Sequence, residues 1–195
     1  MRWLEIMVFV SIVAAGAGLR AAEEFQPEPG FTRLDNGKDL TGWYGSQWSG
    51  RPTGNHEGWS VAQGAIHLDC SAARSHLFSE KKFSPDCIIR LQFRATKEAD
   101  SGLCVHGDQF QVRDYVYSLP DTRKYAFACK PPGQWNDLEL DLSNGVAAIK
   151  LNGKVIEKAW RAGKNTKIGL GLQREKGDFD YRHLRLKEKV KPQPK

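Results

Sequence analysis

Apolar and polar residues alternate along much of this chain. In CIIRLQFRA, residues 87–95, Ile89, Leu91 and Phe93 fall on one side of an extended strand, and Arg90, Gln92 and Arg94 on the other. In DLELDLSNGVAAIKLNGKVIE, residues 137–157, Leu138, Leu140 and Leu142 share one face while Glu139 and Asp141 share the other. Asn144-Gly145 and Asn152-Gly153 are strong two-residue hairpin signals. WSVAQGAIHLD reads as two short strands around Gln63-Gly64. TKIGLGLQ places Ile168, Leu170 and Leu172 in period two and ends a strand at Gln173. In DFDYRHLRLKE the phase changes between Phe179/Tyr181 and Leu184/Leu186, which predicts a bulge at Arg182-His183. No segment beyond the first residues carries a 3.6-residue period. Many short strands at regular spacing predict an all-β protein, a two-sheet sandwich or a barrel.

One hairpin stands out. A two-residue turn at Gly107-Asp108 in ADSGLCVHGDQFQVRDY, residues 99–115, would oppose His106 to Gln109, Cys104 to Gln111 and Gly102 to Arg113. Leu103, Val105, Phe110 and Val112 would then line the other face. A sandwich buries one face of each sheet and leaves the other free, so the polar, concave face of this hairpin is a candidate binding surface.

Composition narrows the class. The chain has 195 residues, 40% hydrophobic and 27% charged, enough for one soluble domain with one core. Residues 1–22 combine one early Arg, an apolar run over 6–19 and small residues around Ala21-Ala22, the pattern of a secretory signal peptide cleaved after Ala22. That run is shorter than the ~20 residues a membrane-spanning helix needs. The domain is expected over 28–187, followed by a basic tail at 188–195. The formal net charge is +6, but residues 187–195 carry +3 of it and residues 1–22 another +1, which leaves +2 on the body. Nucleic-acid binding needs a clustered basic surface, which is absent. The four cysteines, 70, 87, 104 and 129, all lie in the exported part. At least one disulfide is expected, with Cys70 and Cys87 as neighbours at a sheet edge. None of the spacings is that of a zinc site.

Seven segments, in order, carry a resemblance. GFTRLDNGKDLTGW is similar to F..LFnGkdL.gW, WSVAQGAI to W.v.dG.i, DSGLCVHG to NSGi..R and QFQVRD to yEvqi.D. GQWND is similar to GeWN, KLNGKVI to lNG..v, and IGLGLQ…FDYRHLRL to G.IgLQ…v.FRNi.i. These are motifs of the 3-keto-disaccharide hydrolase family, and the likeness spans about residues 30–186. The resemblance implies a concanavalin A-like jelly roll, a secreted or periplasmic location, and action on oxidised, 3-keto sugars. It also allows a divalent metal. Cleavage would begin at C2, whose hydrogen the C3 ketone acidifies. A base removes that proton and a positive group steadies the ketone oxygen. The chain departs from the pattern at Gln109, where the family has Glu, at Asp100 for Asn, and at His106 for Arg; the His after LQ is absent.

His106 and Asp114 are therefore the candidate catalytic residues. Gln109, Gln111, Arg113 and Gln173 are candidate contacts to sugar hydroxyls, and Trp48, in a Gly/Ser-rich loop, is a candidate stacking platform. Trp43, Trp59 and Trp135 read as core. With no carboxylate at Gln109, either His106 or a nearby aspartate supplies the base, or the protein is a carbohydrate-binding module without catalysis. A third reading is a surface protein with no ligand. No nucleophile elbow is present.

Overall fold

The computed structural model describes residues 24–47, 51–54, 56–69 and 75–189; residues 1–23, with the expected signal peptide, Trp48, Cys70 and residues 190–195 lie outside the described residues. In chain order the strands are β1 (Thr32–Arg33), β2 (Trp43–Ser46), β3 (Trp59–Ala62), β4 (Ala65–Leu68), β5 (Ser75–Ser79), β6 (Cys87–Ala95), β7 (Asp100–Val105), β8 (Asp108–Arg113), β9 (Asn136–Ser143), β10 (Val146–Leu151), β11 (Lys154–Arg161), β12 (Gly171–Lys176) and β13 (Phe179–Glu188). A one-turn helix, Pro120–Arg123, and a short 3-10 turn, Ala126–Ala128, lie between β8 and β9.

The strands form two sheets. The larger runs β11-β10-β9-β6-β13-β4-β3, with β1 also pairing to β13; the smaller runs β2-β5-β12-β7-β8. All pairings are antiparallel. This is the expected all-β, two-sheet jelly-roll sandwich. Period-two patterning puts Ile89, Leu91, Phe93, Leu138, Leu140 and Leu142 of the large sheet against Leu77, Leu103, Val105, Phe110, Val112 and Leu172 of the small one, all but shut off from water. Each such side chain contributes about 1.5–3 kcal/mol on burial. The turns at Gln63-Gly64, Asn144-Gly145 and Asn152-Gly153 hold both central residues at positive φ, the geometry that matches strand twist. The bulge falls where expected: the β6–β13 register shifts between Arg182 and Arg185, and His183 sits at φ 57°.

Four local expectations are corrected. The turn of the β7–β8 hairpin is His106-Gly107, at φ 52° and 96°, not Gly107-Asp108. With both central residues at positive φ the turn is of the type I′ kind, in which Gly107 takes the second position at no steric cost and histidine is one of the side chains that tolerate the first. The observed pairs are Cys104 with Gln109, Gly102 with Gln111 and Asp100 with Arg113. Every partner moves by two residues, so the two faces keep their residues, but His106 leaves the strand. Ile168 also leaves the face shared by Leu170 and Leu172. Its strand starts only at Gly171, and Ile168 packs on the opposite side with Phe78 and Cys104. Trp135 is only partly buried, and Arg94 and Arg182 stack on its ring, with guanidinium carbons 4.8 and 3.9 Å from its centroid.

Cys87, Cys104 and Cys129 are free thiols, so the expected pairing of Cys70 with Cys87 is not made. Cys87 does not lie at an edge: β6 is flanked by β9 and β13, and Cys87 opposes Leu142 in the core. Burial pushes the Cys87 and Cys104 thiols up to about 12 and the Cys129 thiol to about 11. β13 runs to Glu188. Glu188 still pairs with Cys87, and the Lys189 amide donates to the Asp86 carbonyl at 2.9 Å.

Candidate functional site

Register across the small sheet assembles its outer face. Ser46, His76, Gln173, Gly102 and Gln111 lie side by side on five successive strands, and Tyr44, Phe78, Gly171, Cys104 and Gln109 form the next row. Asp100 and Arg113 pair at the far end of β7 and β8. Gly102 and Gly171 leave the centre of this face low. A Cβ on Gly102 would stand 2.3 Å from Gln109 Nε2, and one on Gly171 would stand 2.5 Å from the Phe78 ring. Glycine inside a strand permits such close crossings.

Two polar strings cross the face. Gln109 Nε2 reaches over Gly102 and donates to Gln173 Oε1 at 2.5 Å, and Gln173 Nε2 donates to Glu175 Oε2 at 3.1 Å. Beside it, Arg113 Nη2 donates to Asp100 Oδ2 at 2.7 Å and to Gln111 Oε1 at 2.8 Å. Arg113 Nη1 donates to Thr122 Oγ1 at 3.4 Å. Asp100 Oδ1 and Arg113 Nε are buried and meet no hydrogen-bond partner. Such a group costs about 1–3 kcal/mol and calls for an explanation. Burial raises the Asp100 pKa above the ordinary aspartate value; Arg113 opposes this and the Glu175 charge adds to it. His76 is pushed down to about 4 by burial, so it is neutral near pH 7.

Asp100 and Arg113 line a cleft of about 310 Å³ whose other walls include Asp114, Tyr117, Leu119 and Lys176. The outer face of the large sheet is different in character. There Glu139 takes Arg90 and Lys150 at 2.7 and 2.9 Å, and Asp180 takes Arg94 and His67 at 2.6 and 2.7 Å. Its charged groups largely satisfy one another.

Of the residues named from sequence, Gln109, Gln111, Arg113 and Gln173 do come together on one face. His106 does not join them. It is wholly buried at its turn, with its ring centroid 4.6 Å from that of Phe83 and Nε2 3.3 Å from the Phe83 carbonyl oxygen. Burial lowers its pKa. Asp114 borders the cleft, but Oδ2 accepts the Glu98 amide at 2.9 Å and Oδ1 the Val116 amide at 3.1 Å, so it organises loops. Asp100, Glu175 and His76 were missed. Extending the period-two count beyond Gln173 would have found Glu175. SHLFS, residues 75–79, is a strand whose alternate side, His76 and Phe78, faces this site. Among the described residues no three His, Cys, Asp or Glu side chains converge to hold a metal ion, so the divalent metal allowed by the resemblance finds no ligand set there.

A lectin-like sandwich with amides, carboxylates and a guanidinium on one sheet face is the class of protein the structure defines. Residues 30–187 match the family of 3-keto-alpha-glucoside-1,2-lyase-like domains, and the chain belongs to that family. No curated protein matches the sequence. Among solved structures, a candidate glycosyl hydrolase from Parabacteroides distasonis is 18% identical and superposes with a TM-score of 0.65 over 83% of this chain and 95% of that one. A Bacillus subtilis protein of unknown function with a galectin-like fold is 12% identical, with a TM-score of 0.51 over 78% and 92% of the two chains. The exoplasmic/lumenal domain of VIP36, in a form bound to calcium and Man3GlcNAc, is 10% identical, with a TM-score of 0.50 over 80% and 89%. At these identities the likenesses establish the fold.

Proposed function

We propose that this protein is an exported enzyme that cleaves 3-keto-glycosides on the outer face of its small sheet, with Asp100 as the base. The observation that carries the reading is Asp100 itself. It is a carboxylate of raised pKa with one unpartnered oxygen, held beside Arg113 at the wall of a cleft. It stands in the segment matching the family's NSG motif, six positions before His106 in the strand that ends at the hairpin turn.

Asp100 takes the proton from C2 of the bound sugar, and the C–H electron pair moves into an enolate on the C3 ketone. The enolate then expels the C1 oxygen, forming the C1–C2 double bond. The departing oxygen keeps the bonding pair and takes up a proton, and water adds back to the double bond to complete hydrolysis. A raised carboxylate pKa makes Asp100 a stronger base than an ordinary aspartate. Arg113 offers its positive charge to the ketone oxygen. Gln109, Gln111 and Gln173 supply both donors and acceptors for sugar hydroxyls. His106 and Asp114 act in this reading as turn and loop residues.

A second reading, a binding module without catalysis, is favoured by one observation: Gln109 stands at the family's glutamate position and is committed to Gln173. Turnover decides between the two. The mature protein, beginning near Glu23, should release nitrophenol from a nitrophenyl 3-keto-glucoside, and Asp100→Asn should lower kcat by ~10²-fold or more with little change in KM. A protein that binds the glycoside but never turns it over is the module. An intact Met1 on protein collected from the periplasm would refute cleavage after Ala22, and absence of the protein from the periplasm would refute export.

A further inference from the structure

Among the described residues four large apolar side chains are exposed: Tyr117 at 48%, Leu119 at 65%, Phe127 at 60% and Val155 at 47%. Two of the four, Tyr117 and Leu119, stand on the wall of the cleft that contains Asp100 and Arg113. The loop that presents them is firmly tied. Asp114 accepts the Val116 amide at 3.1 Å, and Ser118 Oγ donates to the Tyr115 carbonyl at 3.0 Å. Arg123 donates from its backbone to the Leu119 carbonyl at 2.8 Å and from Nε to the Ser118 carbonyl at 3.0 Å. Exposed apolar surface held in a fixed place beside a polar cleft marks contact with something apolar. Cations flank it: Lys97 Nζ lies 4.7 Å from the Tyr117 ring centroid, and Lys176 lines the same cleft.

We infer that Tyr117 and Leu119 form a subsite for an aromatic aglycone, so that the preferred substrate is an aryl 3-keto-glycoside rather than a disaccharide. This rests on the 3-keto-glycoside reading above. Tyr117 gives a second ring a flat partner, and Leu119 covers its edge. The chemistry points the same way. When the enolate expels the C1 substituent, the electron pair goes to the leaving oxygen. A phenol oxygen carries that charge far more readily than a sugar alkoxide does, since phenols ionise near pH 10. Lys97 adds positive charge on the side where it leaves, while Lys176 on the same wall is paired with Glu98 at 3.5 Å. Both carboxylate oxygens of Asp114 on that wall already accept backbone amides, so Asp114 is poorly placed to protonate an alkoxide.

The test compares a phenyl with a methyl 3-keto-glucoside, each as both anomers, using the mature protein. Tyr117→Ala and Leu119→Ser should each raise KM for the phenyl glycoside about tenfold and leave KM for the methyl glycoside within about twofold. Tyr117→Phe should behave as wild type, because the ring and not the hydroxyl makes the contact. Free phenol should compete with the phenyl glycoside in the wild type and lose that effect in Tyr117→Ala. Equal effects on both glycosides, or on neither, would overturn the aglycone subsite alone. A wild type that neither binds nor turns over either glycoside would overturn the underlying reading and this one with it. Near-native far-ultraviolet circular dichroism of each variant excludes misfolding, which these exposed positions do not invite.

Discussion

Replacing Arg113 with methionine keeps most of the buried stem but removes the charge that faces Asp100. In the folded protein Arg113 makes hydrogen bonds to Asp100, Gln111 and Thr122, and its side chain is 10% exposed against 25% for Asp100. Breaking a fully buried ion pair by deleting one member costs about 3–5 kcal/mol. Partial exposure of Asp100 lowers that to about 2–4 kcal/mol. There is also a ceiling. The stranded carboxyl can escape by taking up a proton, which from the ordinary aspartate pKa costs about 4 kcal/mol at pH 7. The sign of the pH dependence follows. Arg113 holds the Asp100 pKa down against burial, so its loss raises that pKa further. A carboxyl with a raised folded pKa destabilises the fold as pH rises past its ordinary value and ceases to do so below it. The penalty of Arg113→Met relative to wild type should therefore be largest at about pH 7 and shrink markedly by about pH 4. Urea denaturation of both proteins at the two pH values measures it. Adding Asp100→Asn to Arg113→Met should recover most of the loss at pH 7. A penalty under about 1 kcal/mol that is the same at both pH values would show that the pair does not hold the site as described.

Three further outcomes are expected. His76, with its pKa pushed down to about 4, stays neutral in the fold and takes up a proton when unfolded, so wild-type stability should fall by roughly 2–3 kcal/mol between about pH 6.5 and pH 4, and His76→Leu should flatten that slope in urea melts. Gly102→Ala should weaken glycoside binding, read by calorimetry, while costing less than about 1 kcal/mol of stability, because its new methyl displaces the Gln109 side chain and breaks the bridge to Gln173. At least three thiols should titrate with Ellman reagent after denaturation without reductant, and Cys87 and Cys104 should not react in the native protein, since both are buried with thiols pushed to about 12.

The architecture was legible because its strands alternate cleanly. Ile89, Leu91 and Phe93 point inward as their spacing requires, and the Asn-Gly turns at 144–145 and 152–153 declare their hairpins. The polar face of the β7–β8 hairpin was legible too, even though its turn lay one residue away, because moving every partner by two preserves the side of the sheet. His106 was not legible as a turn residue, since histidine carries a much weaker left-handed preference than glycine or asparagine. Asp100 was visible only as a departure from a motif. Its pairing with Arg113 depends on that register, and its raised pKa comes chiefly from burial, with a lesser addition from the Glu175 charge, neither of which a strand pattern displays. The disulfide failed because composition indicates compartment but not which cysteines the sheets bury.

The central claim is that Asp100 removes the C2 proton of a 3-keto-sugar. Incubating the mature protein with methyl 3-keto-glucoside in deuterium oxide and following the C2 proton by NMR tests this step directly, ahead of bond cleavage. The account predicts that the C2 resonance disappears or the glycoside is eliminated with wild type, and that Asp100→Asn slows both by ~10²-fold or more while still binding the sugar. Loss of the C2 proton at an undiminished rate in Asp100→Asn would contradict it.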